Sequence, residues 1–129
     1  MDVDALIGLV FDEHTLHDRV ARWLKTLNSR HDVLGSCAIT ELGVVRILSL
    51  PVAANLSIQE AQTALSRVKA TSVIPFAFMP DALGADQLPA WVTHSKQTTD
   101  GHLVALAKAH GAILATLDRK IHGAFLIPA

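Results

Sequence analysis

The sequence predicts an α/β protein whose mainly parallel central sheet is flanked by helices on both faces. Three observations lead there. Half of the 129 residues are hydrophobic while only 5% are aromatic, so the apolar excess lies in Ala, Leu, Val and Ile, which suit helices packed on a buried sheet. Segments with helical apolar spacing alternate with apolar runs of strand length. No repeat, low-complexity tract or linker composition interrupts the alternation, and the length suits one domain spanning residues 1–129.

In chain order, Leu6, Ile7, Leu9 and Val10 predict a short first helix. Leu16, Val20, Trp23, Leu24 and Leu27 have the spacing of a second, which Asn28-Ser29 ends. Residues 32–38, with Val33, Leu34 and Cys37, read as a buried strand, and Thr40 as the N-cap of a helix running through Leu48. After a turn at Pro51, Ser57 caps a helix over 58–69 with Ile58, Ala61, Leu65 and Val68 as its apolar positions. Residues 72–76 are the next strand. Over 80–96 the periodicity lapses around Gly84 and Pro89, and long irregular loops are often functional. Thr98 or Thr99 then caps a helix with a stripe of Leu103, Leu106, Ala107 and His110, ended by Gly111. Residues 112–116 and 124–127 complete the strands.

No apolar stretch approaches the roughly 18 residues that a membrane-spanning helix requires. The opening Met1-Asp2-Val3-Asp4 lacks the basic, apolar and cleavage regions of a secretory signal, so the expected location is the cytoplasm, with no membrane association. Cys37 is the only cysteine, which excludes an intrachain disulfide and a cysteine-based zinc site and leaves it as a small core residue. A net charge of −1 supplies no bulk attraction for nucleic acid, so any such attraction requires segregated charge. Partial segregation exists: Asp2, Asp4, Asp12 and Glu13 precede Arg19, Arg22, Lys25 and Arg30. A solvated helix face produces the same pattern.

Four acids fall where a parallel sheet places its ligands, beyond the carboxyl ends of the strands. Asp2 precedes the first helix, Glu41 stands on the first turn of its helix, Asp100 opens another, and Asp118 directly follows the strand over 112–116. Any one of them is explained by the preference for acids in a first helical turn, worth about 0.3–1 kcal/mol. Together they would repel one another and raise each other's pKa unless a cation sat among them. With no cysteine pair and no histidine at ligand spacing beside them, the oxygen donors select Mg²⁺ or Mn²⁺ over zinc. Such an ion suits phosphodiester hydrolysis.

The motifs Asp2-Val3-Asp4-Ala5-Leu6-Ile7, Ile39-Thr40-Glu41-Leu42-Gly43, Thr99-Asp100-Gly101-His102-Leu103 and Thr116-Leu117-Asp118-Arg119 resemble those of PIN-domain nucleases, the VapC toxin class in particular, in order and spacing over nearly the whole chain. The resemblance implies a metal-dependent endoribonuclease whose acidic cluster, Asp2, Glu41, Asp100 and Asp118, holds one or two Mg²⁺ or Mn²⁺ ions. It further implies Thr40 and Thr116 as hydrogen-bonding supports of those acids, a homodimer, a cognate antitoxin seated over the active-site groove, and transfer or ribosomal RNA as substrate. Two features depart from the family. Only Met1 precedes the first acid, so the first strand is nearly absent: either the start is truncated or misassigned, or a free amino terminus lies near the metal. Asp4 replaces the usual Asn or Ser, as a supporting carboxylate or as an exposed turn acid.

Other residues carry weaker signals. His14 and His17 share a helix face but have no third ligand nearby in sequence. His102 points elsewhere on the helix from Asp100, toward the surface or a groove. His94 with Lys96, and Arg46 and Arg119 near the acids, suit RNA phosphate or else ordinary solvent and salt-bridge roles. Trp23 lies on an apolar stripe as core or dimer interface, and Trp91 is open as a base-stacking residue. The main competing reading is a PIN-like module that binds RNA or protein without cleaving. A phosphoacceptor signalling domain also gathers acids at strand ends, but it requires a Lys after a late strand, where this chain has Asp118.

Overall fold

The computed structural model describes residues 1–129. Its helices are α1 (Val3–Val10), α2 (His17–Leu24), α3 (Ala38–Leu48), α4 (Ile58–Thr71) and α5 (Thr98–Ala109), and its strands are β1 (Leu34–Ser36), β2 (Phe76–Phe78), β3 (Ala115–Thr116) and β4 (Phe125–Leu126). β1 pairs in parallel with β2, and β3 with β4. The chain start joins the two ladders: the Met1 nitrogen donates to the Gly35 carbonyl at 3.0 Å, and the Asp2 N–H donates to the Ala115 carbonyl at 3.0 Å. Met1-Asp2 therefore occupies a central strand position one strand wide, in the spatial order β2-β1-Met1/Asp2-β3-β4.

The predicted parallel sheet is present, with shorter strands than the apolar runs suggested. Only two residues fill the central position, so nothing pairs with Val33 or Ile113, whose backbone groups form no hydrogen bond. Those side chains are 60% and 69% exposed, not buried strand residues. The strand expected over 72–76 lies instead at Phe76–Phe78. α4 runs on to Thr71 with Ser72 as its C-cap, and Pro75 contributes only its carbonyl, which accepts from Leu34 N–H at 2.8 Å.

Alternation along the strands serves two helical layers. Leu34, Ala115 and Ile127 join a core with α1, α2, α3 and α4, built on Leu6, Val20, Val44, Leu48 and Leu65. Leu114 faces the other way, with Cys37 and Ile121, under Leu103, Leu106 and Ala107 of α5. Cys37 is the small core residue expected.

Local chemistry explains most helix ends. Ser57 caps α4 and accepts from Glu60 N–H at 3.0 Å, while Glu60 accepts from Ser57 N–H at 3.1 Å, which is a reciprocal capping box. Ile58, just inside that cap, is 54% exposed and outside the core. α3 begins three residues earlier than predicted, with Cys37 rather than Thr40 as N-cap. Thr40, at the third helical position, accepts from Cys37 N–H at 3.1 Å and donates to the Cys37 carbonyl. α2 stops at Leu24, short of Asn28. Thr98 is the first residue of α5, not its cap, and donates to the Ser95 carbonyl at 2.8 Å. His110 leaves the predicted core stripe: it is exposed and places Nε2 2.8 Å from the Pro80 carbonyl.

Two glycines let elements approach closely around the strand ends. A Cβ on Gly43 would lie 2.7 Å from Val3 Cγ2, so α3 packs tightly on α1. One on Gly101 would lie 2.3 Å from Val92 Cγ2, so the irregular segment seats directly on the first turn of α5. That segment contains only short 3₁₀ turns, Ala85–Gln87 and Ser95–Gln97, as its broken periodicity predicted.

Candidate active site

Asp2 is the N-cap of α1 and is almost wholly buried, at 6% exposure. Its Oδ1 accepts from Ala5 N–H at 2.9 Å, and its Oδ2 accepts from the Thr116 hydroxyl. The Thr116 oxygen in turn accepts from Asp118 N–H at 2.9 Å. One buried threonine thus ties the first acid to the last across the sheet edge, as the expected support of the acids. Burial pushes the Asp2 carboxyl above the usual carboxylate range, against the lowering effect of its hydrogen bonds.

Asp100 stands half-buried in the first turn of α5. Its carboxyl is also pushed up, first by burial and then by the charges of Asp2, Asp118 and Asp4. Asp2, Asp4 and Asp118 thus lie within electrostatic reach of Asp100. Asp4, exposed on the first turn of α1, belongs to the group by its charge.

Glu41 is placed differently. It is absent from the charges that act on Asp2 and Asp100, and its Oε2 accepts from the Ser36 hydroxyl at 2.6 Å and from Lys69 Nζ at 2.9 Å. Neither partner was singled out from the sequence. Ser36 had a usable signal, as a hydroxyl at the end of a strand five residues before an acid; Lys69 had none, because it reaches Glu41 from another helix. Thr40 binds only Cys37 and touches none of the acids, so its support acts through the start of α3, not on a carboxylate.

The donor set fits a hard divalent cation. Every donor is a carboxylate oxygen, two of the carboxyls are raised by burial, and one of those is raised further by its neighbours. No three His, Cys, Asp or Glu side chains stand close enough to ligate one ion directly. Direct ligation of one ion by three of these carboxylates would require them to draw closer together. The histidines are engaged elsewhere. His17 places Nδ1 2.7 Å from the Gly8 carbonyl, and His14 Nδ1 accepts from Leu16 N–H at 3.1 Å, so the two do not form a ligand pair. His102 bonds to Asp81 and holds that carboxyl below its usual range.

Beside the aspartates, Asp4, His14, Asp118, Arg119 and Lys120 line an open groove of about 540 Å³. Arg119 is exposed there. Arg46 is exposed and forms no ion pair. Trp23 packs against the larger core, 6.0 Å from the Phe125 ring. Trp91 packs against the smaller core, 5.6 Å from the His122 ring.

The PIN domain family model matches residues 1–124. Ribonuclease VapC29 of Mycobacterium tuberculosis is 37% identical over 134 aligned positions, covering 99% of this chain and 95% of the relative. Ribonuclease VapC38 of the same species is 34% identical over 92% of this chain and 83% of its own length, and Ribonuclease VapC44 is 33% identical over 94% and 86%. With the family model spanning nearly the whole chain and these relatives matched almost end to end, the chain belongs to the PIN-domain family, in its VapC group.

Proposed function

We propose that this protein is a metal-dependent endoribonuclease, the toxin of a VapBC-type toxin–antitoxin pair, which hydrolyses RNA phosphodiester bonds with Asp2, Glu41, Asp100 and Asp118 as its working acids. The observation that supports this reading is that Thr116 bonds both the Asp2 carboxylate and the Asp118 N–H, with Asp100 near enough to Asp2, Asp118 and Asp4 for their charges to add to burial in raising its carboxyl. Mg²⁺ or Mn²⁺ held by these acids supplies positive charge and Lewis acidity at the reacting phosphate. Asp100, in the first turn of α5, and Asp118, just after β3, offer carboxylate oxygens. Asp2 is fixed between Ala5 and Thr116 and keeps a lone pair on each oxygen for the ion's hydration shell. Ser36 fixes Glu41 from behind. Arg119 and Lys120, on the adjoining groove, attract the RNA backbone.

The substrate is transfer or ribosomal RNA, the controlling partner is a cognate antitoxin covering the groove, and the protein works in the cytoplasm as a homodimer and a single domain over 1–129. No helix is long and apolar enough to cross a membrane. Exposed Leu42 and Ile58, at 70% and 54%, are candidates for cover by a second copy, which sedimentation of the wild type against Leu42→Asp would test.

The decisive experiment incubates a total-RNA preparation with wild type and with Asp100→Asn, each with Mg²⁺, Mn²⁺ or EDTA. Discrete fragments with wild type and metal alone are the expected result. Cleavage that persists in EDTA, or in a folded Asp100→Asn, overturns the metal-carboxylate mechanism. A folded wild type that cleaves nothing but retains RNA favours the non-cleaving module.

A further inference from the structure

Of the eleven Lys and Arg residues, only Lys69 forms an ion pair with a carboxylate, and that carboxylate is Glu41. The pair is sheltered, with the two side chains only 28% and 21% exposed. Lys69 is in the last turn of α4, and its ammonium lies 2.9 Å from Glu41 Oε2 and 5.9 Å from the centre of the Phe78 ring on β2. Both contacts favour a cation at that point. The same oxygen takes the Ser36 hydroxyl at 2.6 Å, so both partners hold one edge of the carboxylate and leave Oε1 free of hydrogen bonds. Exposed pairs between long side chains are worth little, but this one is fixed on both sides by neighbouring elements.

We propose that Lys69 is a positioning residue that serves as the built-in counter-ion of Glu41, confining divalent-ion binding to the aspartates and lowering the negative charge that incoming RNA meets. The proposal rests on the nuclease reading above. Two opposed consequences follow from Coulomb's law. A positive charge held on Glu41 weakens that carboxylate's own hold on a divalent cation. The same charge makes the site less repulsive to phosphate. Removing Lys69 should therefore tighten the metal and loosen the RNA, a combination that general damage to the fold would not produce.

The test uses the full chain with Mn²⁺ as the probe, in wild type, Lys69→Met and Lys69→Arg. Methionine keeps most of the stem, and Ser36 still holds Glu41, so the variant should fold; thermal melting in EDTA checks this. Calorimetric titration should show Lys69→Met binding Mn²⁺ at least threefold more tightly, or taking up a further ion, while its KM for RNA rises several-fold. Lys69→Arg should match wild type in both. Unchanged or weaker Mn²⁺ binding by a folded Lys69→Met overturns the proposal, as does a Lys69→Arg that behaves like Lys69→Met. Should Lys69→Met melt in EDTA without folding, Lys69→Gln replaces it under the same criteria. Asp100→Asn runs beside them: if it binds Mn²⁺ and cleaves as wild type does, the metal-carboxylate mechanism has failed, and if folded wild type cleaves nothing, the nuclease reading has failed, whatever the Lys69 variants do.

Discussion

The two ends of one sheet differ sharply. At the carboxyl ends of β1 and β3, Met1-Asp2 closes the gap between the ladders, and Asp2, Thr116 and Asp118 form a continuous hydrogen-bonded chain. At the amino ends of the same strands the central position is open: Val33 and Ile113 are exposed with unpaired backbones, and cavities of about 590 and 250 Å³ lie on the two sides of the gap. The closed end holds carboxylates that burial pushes toward protonation, whereas the cavities at the open end are lined mostly by apolar residues, with His31 and Asp32 beside them. The closed end thus gathers raised carboxyls at a cost in stability.

The sharpest break in that contrast is Asp100→Asn. Loss of a metal-holding carboxylate should lower cleavage by at least about 100-fold, the upper range for groups that merely support a ligand, as gel assays of fragment yield would register. In EDTA the same variant should be more stable than wild type at neutral pH, because it removes a carboxylate pushed up by burial and by three like charges. The sign follows from linkage. A carboxyl whose folded pKa exceeds its ordinary value of 3.8 stabilises the fold fully below that value, and this contribution is lost as pH rises through the folded pKa. The variant's advantage in Tm should therefore shrink as pH falls toward the ordinary range. A variant less stable than wild type at neutral pH would mean that the acids are not in conflict.

Thr116→Val tests the closed end without touching a charge. It leaves the buried Asp2 oxygen without its donor and the Asp118 N–H without its acceptor, a loss of about 1–3 kcal/mol and of roughly 10–100-fold in activity. Val33→Thr, at the open end, should stay within about 0.5 kcal/mol of wild type. Equal losses from the two substitutions in denaturant melts would erase the contrast.

What could be read in advance divides along similar lines. Asp2, Asp100 and Asp118 were legible because each sits where a local pattern of strand end or helix start places it, and the cap at Ser57 was legible for the same reason, though its reciprocal partner Glu60 was not read. Strand lengths were not, since Val33 and Ile113 have strand-like sequences but lack a neighbour to pair with. Lys69 was silent because its meeting with Glu41 spans 28 residues and depends on how α4 packs against α3. Thr40 was assigned to the right turn but the wrong atoms, because a threonine inside the first turn can satisfy the cap residue as well as be one. That gathered acids raise one another was anticipated; that burial is the first cause at Asp2 and Asp100 arises only from packing.

Gly101→Ala probes how the closed end is covered. The new methyl would stand 2.3 Å from Val92 Cγ2 and 3.4 Å from Pro89 Cδ, so the segment over 89–92 must shift, at about 1–3 kcal/mol. Because the clash adjoins Asp100, activity should fall along with Tm. A neutral outcome would make the segment a loose cover.

A small gain in stability is expected from filling the open end. Three residues such as Val-Ile-Val fused ahead of Met1 would continue the strand that Met1-Asp2 begins, between the unpaired backbones of Val33 and Ile113. Two apolar side chains entering the cavities contribute about 1.5–3 kcal/mol each, and new ladder bonds contribute about 0.5–1.5 kcal/mol each. Ordering three residues costs about 1–2 kcal/mol apiece in backbone entropy. The terms nearly cancel, leaving a gain of about 1 kcal/mol, or roughly 3–5 °C in Tm for a domain of this size. A Gly-Ser-Gly extension pays the ordering cost without the burial and should leave Tm unchanged. If the apolar extension is equally silent, the gap between β1 and β3 is not a strand position, and the two ladders are independent elements that meet only at Met1 and Asp2.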